Sequence, residues 1–159
     1  MSETHHYTAQ INWTGNKGSG TSAYGAYERA HEINLGPELV IPGSSDPSFR
    51  GDATRANPEQ LLLASISSCH MLWFLHLCAD AGIIVLAYED DARGLMSVDT
   101  TGAGRFERVD LAPHVELQQA SDEARANELH TRAHDKCFIA NSVNFPVHVA
   151  GQFTHKQGT

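Results

Sequence analysis

The stretch Asn57–Gly82, NPEQLLLASISSCHMLWFLHLCADAG, decides the fold. Asn57 is a helix-capping residue, Pro58 suits the first helical position, and Glu59 places negative charge at the positive end of the macrodipole. Gly82 supplies the stop. Between these signals Leu61, Leu62, Leu63, Ile66, Met71, Leu72, Trp73, Phe74, Leu75 and Leu77 leave no polar face. That pattern predicts a helix buried on all sides, with Cys69 at its middle.

A run this long and free of formal charge has the length of a membrane span. Several features favour a core helix of a soluble protein instead. Ser65, Ser67, Ser68, His70 and His76 interrupt it, Glu59 and Asp80 bracket it, and no Lys/Arg cluster sets an orientation. On a wheel of about 100° per residue, Cys69 shares a stripe with Leu62, Ser65, Ile66, Leu72, Trp73, His76 and Asp80. Cys78 lies roughly 180° round and about 13 Å along the helix, beyond disulfide reach of Cys69. Flanked by Leu77 and Ala79, it reads as core packing.

The length of 159 residues suits one domain, 1–159. Three cysteines do not make a secreted disulfide scaffold, and the polar first residues carry no apolar targeting core, so a cytoplasmic location is expected. The net charge of −8, with basic residues scattered singly, disfavours nucleic acid and anionic membrane as partners.

Tyr7–Trp13 has strand character, NKGSG at 16–20 is a turn cluster, and a hairpin return is expected over Tyr24–Leu35, with a short strand at Leu39–Ile41. A loop, Ser44–Ala56, carries Phe49, Arg50 and Arg55 towards the central helix. After Gly82 the segments Ile83–Glu89, Gly94–Thr100, Gly104–Asp110 and Val115–Gln118 alternate as strands and predict a meander. Ser121 is a candidate cap for a second helix, in which Ala126, Leu129, Ala133 and Cys137 keep one face. Phe145–Phe153 reads as a last strand. Helices set between groups of antiparallel strands give an α+β fold, and an apolar central helix that needs cover on every side predicts an intimate homodimer.

These residues resemble the OsmC/Ohr family of thiol-dependent peroxidases. The likeness rests on Asn57-Pro58-Glu59-Gln60-Leu61, on Ser67-Ser68-Cys69-His70, on Ala81-Gly82, and on Cys137-Phe138-Ile139-Ala140-Asn141-Ser142. It extends from about Trp13 to the last strand. The resemblance implies antiparallel sheets around the central helix, an intertwined dimer, and reduction of organic hydroperoxides without a cofactor or metal. It implies Cys69 as the peroxidatic thiol, Cys137 as the resolving thiol, and Glu59 as the carboxylate holding an arginine. The family's Arg-Phe setting ahead of the helix appears here reversed, as Phe49-Arg50, which makes Arg50 the chosen arginine, with Arg29 and Arg55 as alternatives. The residue after the second cysteine, commonly proline in the family, is Phe138 here.

The chemistry explains the residue types. A thiolate attacks the O–O bond, and a guanidinium favours both the thiolate and the negative charge that develops on the leaving alkoxide. The resulting sulfenic acid is protected when a second thiol condenses with it, and an external dithiol then reopens the disulfide. Trp73, Phe74, Phe138 and Phe145 are candidates for an apolar mouth that selects alkyl or lipid hydroperoxides. Two other functions fit parts of the pattern. One is a non-catalytic dimeric domain that binds an apolar ligand. The other is a His/Cys metal-binding module built on the i, i+4, i+7 spacing of His130, His134 and Cys137, although exposed polar residues are the simpler reading of the two histidines. His70 and His76 are expected to be core histidines, His76 near Cys69.

Overall fold

The computed structural model describes residues 3–155. Its fold is α+β, in two compact units that divide between Leu61 and Leu62. In the first unit, β1 (Gln10–Trp13), β2 (His31–Gly36) and β3 (Leu39–Gly43) form an antiparallel sheet in that order. Ile33 pairs with Ile11 on one side and Ile41 on the other. The chain does not return directly after the NKGSG turn: Thr14–Ala30 is loop, and the second strand begins only at His31. Side chains hold that loop. Asn16 Oδ1 accepts from the Gly18 and Gly20 N–H groups at 2.8 and 3.0 Å, and Trp13 Nε1 donates to the Glu28 carbonyl at 2.9 Å. Gly43 is required where it stands, because a Cβ there would run into the His31 ring.

The central helix α1 is Pro58–Asp80. Asn57 Oδ1 accepts from the Gln60 N–H at 2.8 Å while Gln60 Oε1 accepts from the Asn57 N–H at 3.1 Å, a reciprocal capping box. At the other end Gly82 takes φ 72°, letting the Ile83 N–H reach the Cys78 carbonyl and the Gly82 N–H reach that of Ala79. That is a Schellman stop.

In the second unit the expected meander is replaced by a long, bent ribbon. β4 (Val85–Asp90) pairs with β7 (Pro113–Leu117), and β5 (Arg93–Val98) pairs with β6 (Gly104–Leu111), all antiparallel. The bend is fixed by Asp90, whose Oδ1 accepts from the Ala112 N–H at 2.8 Å and whose Oδ2 accepts from the Ser67 hydroxyl of α1. The single last strand expected over Phe145–Phe153 is two. β8 (Val147–Val149) joins β6 and β9 (Gln152–His155) joins β7, both in parallel, because the break at Ala150-Gly151 follows the same bend.

α2 (Glu123–Lys136) starts two residues after Ser121. Its cap is Asp122 with no side-chain cap bond, and a 3-10 turn at Ala120–Asp122 takes the place of the predicted cap. Phe74, Leu77 and Cys78 of α1 pack with Leu129 and Ala133 of α2 and with Val115 and Leu117 of β7. A second cluster joins Ile66 to Val109 and Leu111.

α1 is not buried all round within the chain. The buried residues are Ile66, His70, Phe74, Leu77 and Cys78, whereas Leu72 is 63 % exposed. By length and composition α1 is apolar enough to cross a membrane, and one stripe of it packs on strands and α2.

Candidate active site

Cys69 lies at mid-helix on the outward side of α1 and is half-buried. Cys137 is the C-cap of α2, fully buried, where extended backbone (ψ 107°) ends the helix. The structure makes the two free thiols neighbours, close enough for Cys69 to act on the Cys137 thiol. Cys137 Sγ also accepts from the Ala140 N–H at 3.4 Å and directs its S–H at the Ile66 carbonyl, 3.9 Å away. Burial pushes its pKa up to about 11, an effect to which the neighbouring Cys69 adds. At neutral pH it is a thiol, not a thiolate. Cys78, on the opposite side of α1, is likewise raised to about 11 by burial and sits in the core as expected.

Cys69 opens into an apolar groove of about 520 Å³. Leu72, Trp73, Phe138 and Ile139 provide its walls, with Ser65, Ser68 and His76 as the polar groups. Of the stripe read from the helical wheel, Ser65, Leu72, Trp73 and His76 line the groove with Cys69, whereas Ile66 is core. Of the four aromatic residues proposed for the mouth, Trp73 and Phe138 are there, edge to face with centroids 5.5 Å apart. Phe74 is core, and Phe145 packs against Phe106 in the second cluster.

The other expected site residues lie in the first unit. Arg50 follows the 3-10 turn Pro47–Phe49 at φ 65°, exposed, with its guanidinium 5.9 Å from the Tyr24 ring centroid. Arg29 is engaged locally, donating to the Tyr27 and Tyr24 carbonyls at 2.6 and 2.8 Å and stacking on both rings. Arg55 reaches the His31 carbonyl and Asp52. Glu59, in the first turn of α1, has a buried Oε2 with no hydrogen-bond partner among the described residues.

The histidines separate into two groups. His76 is exposed on the groove and 3.4 Å from Asp80, rather than in the core. His70 and His130 are buried, with His70 Nε2 3.0 Å from His130 Nδ1 and the His130 ring stacked on Phe74 at 4.0 Å. Burial lowers both to a pKa of about 4, so the pair is neutral. His130 is therefore not the exposed polar residue its spacing suggested, and His134 is half-buried. The His/Cys triad does not assemble either, because Cys137 faces Cys69 and His130 faces His70. Among the described residues no group of three or more His, Cys, Asp or Glu is placed to hold a metal ion. Sequence reasoning missed the His70–His130 contact and the Ser67–Asp90 link, whose only signal is a polar residue interrupting an apolar helix face.

Two helices thus bring Cys69, open to an apolar groove, and the buried Cys137 together on an α+β scaffold. The chain belongs to the OsmC-like protein family, which matches residues 51–150 and so takes in Glu59, Cys69 and Cys137. An OsmC-like protein of unknown function from Vibrio cholerae has the same fold, with TM-score 0.84 and 28 % identity over 94 % of this chain and all of that one. An organic hydroperoxide resistance protein from Elizabethkingia anophelis superposes with TM-score 0.70 at 18 % identity, covering 98 % of this chain and all of that chain. The organic hydroperoxide resistance protein OhrB of Bacillus subtilis does so with TM-score 0.57 at 21 % identity, covering 93 % and 98 %. A search of curated proteins finds no match.

Proposed function

We propose that this protein is a thiol-dependent peroxidase that reduces organic hydroperoxides by a two-cysteine mechanism. The observation that carries the reading is Cys69 opening on an apolar groove with the buried Cys137 thiol as its neighbour, in a chain of the OsmC-like family whose similar solved structures include organic hydroperoxide resistance proteins. The Cys69 thiolate attacks the distal peroxide oxygen, the O–O bond breaks, and the alcohol leaves with a proton. Cys137 then attacks the Cys69 sulfur of the sulfenic acid: the S–S bond forms, the S–O bond breaks, and the Cys137 proton leaves in water. An external dithiol reduces the disulfide.

In this reading Arg50 supplies the guanidinium and Glu59 holds it, an assignment supported by the unpartnered Glu59 oxygen. Glu59 stands about 15 Å from Cys69 along the helix axis, so the arginine spans that gap or serves the partner subunit's Cys69. The exposed apolar side of α1 supports a homodimer. We place the protein in the cytoplasm, with 1–159 acting as one OsmC-like domain.

Pre-reduced protein is expected to consume tert-butyl hydroperoxide stoichiometrically. Cys69→Ser abolishes consumption, while Cys137→Ser completes a first turnover and then stalls or over-oxidises to the sulfinic acid. Consumption that survives Cys69→Ser overturns the mechanism, and equal complete loss in both variants overturns the division of roles. Binding of apolar compounds in the groove without any consumption would instead make this a non-catalytic ligand-binding domain.

A further inference from the structure

The two residues that flank Cys137 hold the same side chain of α1. The Phe138 ring meets Trp73 edge to face, with centroids 5.5 Å apart and planes at 87°, and the Lys136 ammonium lies 5.2 Å above the Trp73 ring. Trp73 is one helical turn beyond Cys69 on the same stripe and is itself braced edge-on by His76 at 5.6 Å. Phe138 is 67 % exposed, so burial does not account for where its ring lies. The contact with Trp73 does. By contrast, the bonds made by the Cys137 sulfur itself are long, at 3.4 and 3.9 Å, as sulfur contacts are.

We propose that Trp73 is a positioning residue for disulfide formation, clipping the Lys136–Phe138 segment to α1 so that the Cys137 sulfur stays beside Cys69. This rests on the two-cysteine reading above and adds to it the device that governs the second step. In that step the Cys137 sulfur attacks the Cys69 sulfenic sulfur, forming S–S, breaking S–O and releasing water. Cys137 is a poor nucleophile at neutral pH, because burial keeps its proton on, so the step depends on how constantly the Cys137 sulfur is held near Cys69. Loosening the clip therefore slows resolution and lengthens the life of the sulfenic acid, which is then open to a second peroxide.

The test is a rapid-quench measurement on the full chain, in which the pre-reduced protein is mixed with excess hydroperoxide and the sulfenic, disulfide and sulfinic forms are followed by mass spectrometry. Conversion of sulfenic acid to disulfide is unimolecular, so its rate is independent of any change in peroxide binding to the groove. Trp73→Leu is expected to slow that conversion by about tenfold and to raise the sulfinic fraction, while Trp73→Phe, which keeps an aromatic face, restores most of the rate. The double variant Lys136→Met/Phe138→Leu, altered only at exposed positions, is expected to match Trp73→Leu without disturbing the core.

The pH profile separates positioning from simple loosening. The wild-type rate should rise about tenfold per pH unit from 7 to 9 as the Cys137 thiolate fraction grows, and Trp73→Leu should give a parallel, lower line. A flattened line would mean that the variant merely let water reach Cys137, which overturns the proposal. So would a wild-type conversion rate in both Trp73→Leu and the double variant. Failure of the protein to form any sulfenic acid would instead sink the peroxidase reading.

Discussion

The two sides of α1 are almost equally apolar in sequence and opposite in fate. Ile66, His70, Phe74, Leu77 and Cys78 are covered by α2 and the ribbon strands, whereas Cys69, Leu72, Trp73 and His76 border the open groove. The two cysteines of this helix show what the difference does. Cys78 is a small apolar filler whose thiol burial holds at about 11, and Cys69 is a thiol that opens to the groove. One helix thus packs as core on one side and lines an open groove on the other.

The largest break between the two sides is one of stability. Phe74 is wholly buried against Tyr88 and His130, so Phe74→Ala should cost about 3–5 kcal/mol in urea denaturation, as deletion of a core ring does. Leu72→Ala, at 63 % exposure, should cost less than about 1 kcal/mol in the isolated chain. Any larger cost for Leu72→Ala that grows with protein concentration measures cover provided by a second copy. Equal costs at every concentration would erase the distinction between the two sides.

A smaller effect separates the sides by pH. His70 and His130 have folded pKa values of about 4, below the ordinary 6.5, because burial disfavours the charged form. The unfolded chain therefore binds more protons below pH 6.5. Stability should be full above that value and fall as the pH drops towards 4, levelling once the folded pair protonates as well. The loss is on the order of a few kcal/mol for the pair. Urea midpoints measured between pH 7 and 4.5 read it directly, and His130→Phe, which keeps a ring on Phe74, should shrink the slope. A wild-type midpoint that is flat over this window would mean that the imidazoles are not held neutral.

What was legible in the sequence follows the reach of the forces involved. The ends of α1 were readable because capping is local: Asn57 and Gly82 act within a few residues of where they stand. Helical period placed Ser65, Leu72, Trp73 and His76 beside Cys69 correctly, but also put Ile66 there, which is core. The ribbon was not, since strand alternation fixes which residues face inward but not which strand is the neighbour. That depends on Asp90 binding the Ala112 N–H across the bend. Parallel addition of β8 and β9 depends on the same bend and on Gly151, where a Cβ would strike the His130 ring. The candidate thiols were marked by the family motif, but their surroundings were not. A wholly apolar helix does not say which face its own chain will cover, and an i, i+4 histidine pair does not say that one ring will turn inward to meet His70.

The smallest predicted effect concerns the groove side alone and decides among three arginines. Arg29 is committed to the Tyr24 and Tyr27 carbonyls, and Arg55 to the His31 carbonyl and Asp52. Arg50 makes neither kind of bond among the described residues; its guanidinium lies off the face of Tyr24 and acts on Glu28 only through its charge, which leaves it available for a thiolate. If it stabilises the Cys69 thiolate, Arg50→Ala should slow iodoacetamide alkylation of Cys69 at neutral pH by about three- to tenfold, the scale of one partly screened charge contact. Alkylation of Cys78 should not change, because its thiol is held protonated by the core and not by any arginine. Glu59→Ala should produce a milder slowing, since it frees the arginine without removing it. Slowing by Arg29→Ala or Arg55→Ala, with none by Arg50→Ala, would move the role to that residue. No slowing in any of the three would leave Cys69 without guanidinium help, because a mid-helix sulfur lies too far from the end of α1 for the macrodipole to substitute.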